Sequence, residues 1–160
     1  MEALREIEER LVGLSEHWIQ ELLPDGFLVE LRIRVHRPEP EILVRVDTDR
    51  GITLDECVKL HLHLRQKYET LDWLPENYGI TVSSPGIGSP LRVRRQYYAQ
   101  KGRLLAVRQK TGGWVRGRLL DVDEQGILLE GRHQPIAISW EAIATAHVEI
   151  PHRQPKRKSF

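Results

Sequence analysis

Nine basic side chains fall between residues 77 and 120: Arg92, Arg94, Arg95, Lys101, Arg103, Arg108, Lys110, Arg116 and Arg118. The same window holds no Asp or Glu, and Tyr97, Tyr98 and Trp114 are interleaved with the cations. Guanidinium groups make paired hydrogen bonds to phosphate and stack on bases, and aromatic rings stack on bases too. This combination suits RNA. Arg92, Arg94, Arg95, Lys101, Arg103, Arg108, Arg116, Arg118 and Trp114 are therefore the candidate nucleic-acid contacts. The competing account is a solvated face whose arginines pair with carboxylates elsewhere in the chain.

Those carboxylates exist. Residues 1–76 carry 17 acidic and 10 basic side chains, a net of −7, against +9 for residues 77–120. Residues 121–160 carry 6 acidic and 5 basic ones. Segregation of this kind suggests two surfaces for partners of opposite charge. Asp47, Asp49 and Asp55, near Glu30, Glu39, Glu41 and Glu56, are the candidates for holding a basic protein by electrostatic attraction. The acidic residues at positions 6–21 are equally explained by solubility.

Other chemistry is weakly signalled. His61 and His63 are two apart on an expected helix, so they point about 200° from each other and cannot share a metal. Asp47-Thr48-Asp49 resembles the start of a calcium loop, but the twelfth position is Val58 rather than a glutamate. A structural turn is the better reading. Gly86-Ile87-Gly88 follows a strand, yet Pro85 and Pro90 interrupt it and no Gly-Lys-Ser/Thr end follows. Ser83 and Ser84 lie in no nucleophile elbow. Cys57 is the one cysteine, which forbids an internal disulfide and reads as a small buried residue. No catalytic, metal-binding or cofactor-binding residue is expected.

Two positioning frameworks follow from the periodicities. Leu4, Ile7, Leu11, Leu14, Trp18 and Leu22 share one face of a helix over about 2–22, which Pro24-Asp25-Gly26 ends. Residues 27–35 and 42–46 alternate as strands, antiparallel because their connection is short. Thr53 and Glu56 form a capping box opening a helix with Cys57, Leu60, Leu64, Tyr68 and Leu71 on one face, ending near Trp73–Pro75. Tyr78–Ser83 is a third strand. Two helices on one side of three strands make an α/β layer. Ser83, Ser84, Pro85, Gly86 and Pro90 then form a junction through which no sheet continues. Beyond it, residues 90–100 suggest a short helix. Five short strands follow at 103–108, 114–122, 127–130, 136–139 and 147–150, with a helical turn at 140–143. Closure into a small SH3-like or Sm-like barrel removes their exposed edges. The fold class is thus α+β: an N-terminal α/β domain at 1–84, a junction at 85–90, a barrel at 91–150 and a disordered basic tail at 151–160.

The motifs also resemble a known family. Ile42–Asp47 followed by Gly51-Ile52-Thr53-Leu54-Asp55-Glu56-Cys57, then Tyr78–Leu91 with its Ser-Ser-Pro-Gly and Pro-Leu, then Leu91–Tyr98, Lys101-Gly102-Arg103 and Ile136–Ile150, are similar to the ribosome maturation factor RimP family. The likeness covers roughly residues 27–150. Gly88-Ser89 stand where family members usually carry a charged pair. The resemblance implies a cytoplasmic bacterial assembly factor without catalytic residues or cofactor. It implies binding to the free small ribosomal subunit through a basic ribosomal protein near the decoding centre and through ribosomal RNA. A monomer with no membrane association is expected, and the acidic N-terminus argues against a cleaved signal. Two rivals stay open: a protein-only adaptor, and a nucleotide-dependent enzyme using Gly86–Gly88.

Overall fold

The computed structural model describes residues 2–35, 38–74, 77–86 and 88–149; the basic tail expected at 151–160 lies outside them. Contacts divide the chain into two units, Met1–Gly86 with Arg92–Ala99, and Ile87–Leu91 with Gln100–Phe160. Residues 92–99, placed with the barrel in the sequence reading, thus group with the first unit.

In the first unit, helix α1 (Glu2–Leu22) and helix α2 (Leu54–Glu69) pack on a three-stranded sheet of β1 (Gly26–Arg34), β2 (Glu41–Thr48) and β3 (Gly79–Ser83), in the order β1-β2-β3. β1 and β2 are antiparallel, with a bulge between Leu28 and Glu30. β3 runs parallel to β2 because α2 carries the chain back across the sheet. Leu11 and Ile19 of α1, Leu60, Leu64 and Tyr68 of α2, and Leu31, Ile33, Ile42, Val44 and Val46 of the sheet form one buried cluster.

Two local expectations are corrected. Leu14 is 36% exposed, while Ser15 is fully buried. Residues 11, 15 and 19 are spaced four apart, so a stripe centred on Leu11 and Ile19 must take in position 15. The buried hydroxyl is satisfied by the Tyr68 hydroxyl at 2.6 Å. The α2 helix also ends at Glu69, short of Trp73–Pro75. There Thr70 folds back, its backbone N–H and its Oγ1 both donating to Lys67 O. At the other end Thr53 Oγ1 accepts from Glu56 N–H at 3.1 Å and Glu56 Oε1 from Thr53 N–H at 3.0 Å, the reciprocal cap read from sequence. Cys57 is buried on this helix, and desolvation pushes its thiol pKa up.

The second unit is the SH3-like barrel. Strands β4 (Leu104–Gln109), β5 (Trp114–Val122), β6 (Gly126–Leu129), β7 (Ile136–Ser139) and β8 (Ile143–Val148) are all antiparallel, in the order β7-β6-β5-β4-β8. β5 pairs with β4 through its first half and with β6 through its second, and the irregularity between Leu119 and Asp121 turns the corner. A 3₁₀ turn at Trp140–Ala142 feeds β8, which begins at Ile143 rather than His147. Leu105, Val107, Leu119, Ile127 and Leu129 fill the interior. Gly126 is required by closeness: a Cβ there would lie 2.0 Å from Ile138 O.

Burial drives the Tyr68 pKa up to about 12, opposed by the Ser15 hydrogen bond. A folded-state value above the ordinary 10 means that the contribution is complete below pH 10 and lost as pH rises through 12. Tyr68→Phe should therefore flatten the alkaline arm of a urea-denaturation series, and at neutral pH should cost about 1–2 kcal/mol by leaving Ser15 unpaired.

Candidate functional site

Geometry sorts the nominated cations into committed and uncommitted groups. In the first unit the segment after Leu91 enters the short helix α3 (Arg94–Tyr98). Its start is organised by the buried Gln96, whose Oε1 accepts from the N–H groups of Arg92 at 2.6 Å and Val93 at 3.1 Å. Arg95 then reaches Asp49 with a fork: Nε to Oδ1 at 2.8 Å and Nη2 to Oδ2 at 2.9 Å. Its guanidinium also lies 4.8 Å over the Phe27 ring. The Arg95 hydrogen bond holds the Asp49 carboxyl below its usual range and raises the pKa of Arg95 itself. Arg92 Nε stands 3.3 Å from Glu30 Oε2. Arg94 is exposed on α3 and has contacts of its own. Tyr97 is buried, which pushes its pKa up to about 12, while Tyr98 is exposed.

In the second unit Lys101 Nζ lies 3.2 Å from Asp121 Oδ1 and Arg116 Nε 2.8 Å from Glu149 Oε1. Asp121 is held below its ordinary pKa, first by the Val122 N–H and then by Lys101. Arg118 donates through Nη1 to Gly102 O at 2.9 Å, a neutral partner that leaves its charge uncompensated. Arg103, Arg108 and Lys110 are exposed, and among the described residues none has an ion-pair partner.

The β4–β5 register aligns what remains. Arg108 is directly opposite Trp114, Ala106 opposite Arg116 and Leu104 opposite Arg118, so Trp114, Arg116 and Arg118 share one face with Arg108. Arg116 lies 5.7 Å over the Trp114 ring, and His147 of β8 meets that ring edge-on at 6.0 Å. The result is an exposed aromatic platform among guanidiniums, with Arg103 and Lys110 at the two ends of β4.

The acidic candidates separate in the same way. Asp47 Oδ1 accepts from the N–H groups of Thr48 at 2.9 Å and Ile52 at 3.1 Å, so it builds the turn into α2. Asp49 is held by Arg95. Asp55 is exposed in the first turn of α2. At the junction, Ser83 ends β3, and Gly86 and Gly88 have φ of 83° and 80°, the left-handed region that glycine tolerates. No helix begins until Arg94, so these glycines face no helix N-terminus of the kind that cradles phosphate. Among the described residues no group of three His, Cys, Asp or Glu could hold a metal ion, and no helix is long and apolar enough to cross a membrane.

Sequence reasoning missed a cluster on β1 and β2. Glu30 is 11% exposed, and its carboxylate is shared by Arg32 at 2.5 Å, Arg92 at 3.3 Å and Arg45 at 3.8 Å. The signal was available: Glu30, Arg32 and Arg34 alternate along one strand face.

The fold and these surfaces define a two-unit α+β protein with an α/β layer and an SH3-like barrel, carrying charged side chains rather than a metal centre on its described surface. Residues 20–88 match the RimP N-terminal domain. Over 120 residues the chain is 39% identical to the ribosome maturation factor RimP of Prosthecochloris aestuarii, covering 70% of this chain and 64% of that protein. Over 86 residues it is 37% identical to the ribosome maturation factor RimP of Chlorobium chlorochromatii, covering 53% of this chain and 48% of that one. The matches thus span less than two thirds of these relatives' own length. The chain is thus similar to the RimP family, most extensively in its N-terminal domain.

Because Arg95 and Asp49 are both about half exposed, their pair is screened by water. A double-mutant cycle with Arg95→Ala and Asp49→Ala should give a coupling below about 1 kcal/mol in denaturant unfolding. The coupling should vanish as pH falls through the lowered Asp49 pKa, since a depressed carboxylate contributes only above that value.

Proposed function

We propose that this chain is a ribosome maturation factor acting on the small ribosomal subunit, and that it binds ribosomal RNA and a basic ribosomal protein without catalysing a reaction. One observation carries the RNA half: on the barrel the exposed Trp114 lies opposite the uncommitted Arg108 and shares a strand face with the uncommitted Arg118, and the exposed Arg103 and Lys110 flank β4. Guanidiniums without carboxylates retain their attraction for phosphate, and the indole offers a stacking surface. The names of the relatives support the assembly role. Asp55 is the acidic candidate most available to a basic protein, because Asp47 and Asp49 are engaged within the fold. Preferential binding to one conformation of the immature particle would favour that conformation.

One observation favours the adaptor reading. Arg92, Arg95, Lys101 and Arg116 each have a carboxylate partner, as expected if these cations serve the fold itself. Binding to an isolated ribosomal protein but not to ribosomal RNA would select it.

Co-sedimentation with purified small subunits tests the RNA half. Replacing Arg108 and Arg118 by Glu should weaken binding at least tenfold at low salt, whereas Arg95→Glu should act less through binding than through stability. If the four uncommitted cations each neutralise a phosphate, the log–log salt slope should be near −2.8, from about −0.7 per phosphate of single-stranded RNA. A flat salt response would remove RNA from the mechanism.

A further inference from the structure

The acidic first unit contains a local reversal of charge. A groove of about 810 Å³ runs beside the edge strand β1 and is lined by Arg32, Arg34, Arg45 and Arg92, with Glu8 and Glu30 as its carboxylates. Four guanidiniums against two carboxylates leave a surplus of two positive charges. Neither carboxylate is idle. Glu8 Oε1 accepts the Ile33 backbone N–H at 2.9 Å, which caps the unpaired edge of β1. Glu30 is nearly covered, whereas the side chains of Arg32 and Arg92 are 62% and 43% exposed. The better-covered carboxylate thus holds each guanidinium through its Nε, and the arginines keep further N–H donors beyond that contact. Arg34 is exposed two residues along the same face from Arg32 and has no ion-pair partner among the described residues.

We propose that this groove is a phosphate-binding site, distinct from the barrel face, that takes the backbone phosphates of RNA. A guanidinium held from one side by a carboxylate keeps donors on its other side in the fork that matches phosphate oxygens. All four cations are arginine, the side chain suited to bidentate recognition of an oxyanion. Arg92 also brings the groove into continuity with the carboxylate-free segment of the sequence. The inference rests on the RNA reading above and assigns it a second contact site, within the unit whose net charge is negative.

The test uses the full chain, a labelled single-stranded oligoribonucleotide read by fluorescence anisotropy, and inorganic triphosphate and polyglutamate as competitors. Arg34→Gln should weaken RNA binding several-fold and make the salt slope shallower by about 0.7, and the Arg32→Gln, Arg34→Gln pair by about 1.4. Because Arg34 is exposed and has no ion-pair partner among the described residues, its variant should keep the wild-type urea midpoint, which separates lost binding from lost folding. RNA binding that falls with Arg108→Gln and Arg118→Gln but is unchanged by both groove substitutions overturns the groove and leaves the RNA reading standing. Absence of RNA binding by the wild-type chain overturns both. Binding of triphosphate, dependent on Arg34 and without RNA binding, assigns the groove to free phosphates and overturns its RNA form. Polyglutamate competing as well as RNA would assign it to an acidic protein and overturn the proposal.

Discussion

Charge compensation inside the first unit is the constraint on which the rest of this molecule depends. An arginine paired with a carboxylate is a structural fastener that keeps only its remaining donors for a ligand; one without such a partner keeps all of them. Asp49 and Glu30 convert Arg95 and Arg92 to the first kind, and in doing so they attach the stretch after the proline-glycine junction to the unit that precedes it. Gln96 reinforces this by capping the two N–H groups that open α3. The positive charge of residues 77–120 is therefore not one surface. It divides between paired cations, Arg92 and Arg95 on the first unit and Lys101 and Arg116 on the barrel, and the open Arg103, Arg108, Lys110 and Arg118.

This division also explains why a unit with surplus carboxylates can present cationic groups. Glu30 has little access to water, and burying a lone carboxylate is costly unless cations and hydrogen bonds compensate it. Arg32, Arg45 and Arg92 meet that need from two strands and the segment before α3. Because a guanidinium has five donors and one carboxylate cannot use them all, a buried acid ends up surrounded by partly unused donors. Three of the four arginines that line the basic groove are those that compensate Glu30.

Much of the fold was legible because periodicity is a local property. The alternation in β1, the Thr53–Glu56 cap and the β4–β5 hairpin are each written within a few residues, and each appears in the structure. What escaped was tertiary. The drift of the α1 stripe that buries Ser15 depends on Tyr68, 53 positions away. The end of α2 is decided by Thr70 competing for Lys67 O, against an apolar pattern that runs on to Trp73 and Leu74. The partners of the basic segment were least visible, because Arg95 and Asp49 are 46 residues apart and composition alone treats every arginine as equally available. Trp114, Arg116 and Arg118 were legible as a shared face because they alternate along one strand, whereas Arg108 joins them only through the β4–β5 register.

Cys57 provides the molecule with a built-in gauge of its own opening. Its thiol sits in the buried row of α2, desolvation keeps it protonated, and no second cysteine competes with it. Cys57 is only 7% exposed while α2 is seated, so modification by a thiol reagent should rise with the population of forms in which this helix opens. Labelling rate thus reads the local free energy of the helix whose first turn carries Asp55, separately from the barrel, and would register a partner that clamps this helix without any introduced probe.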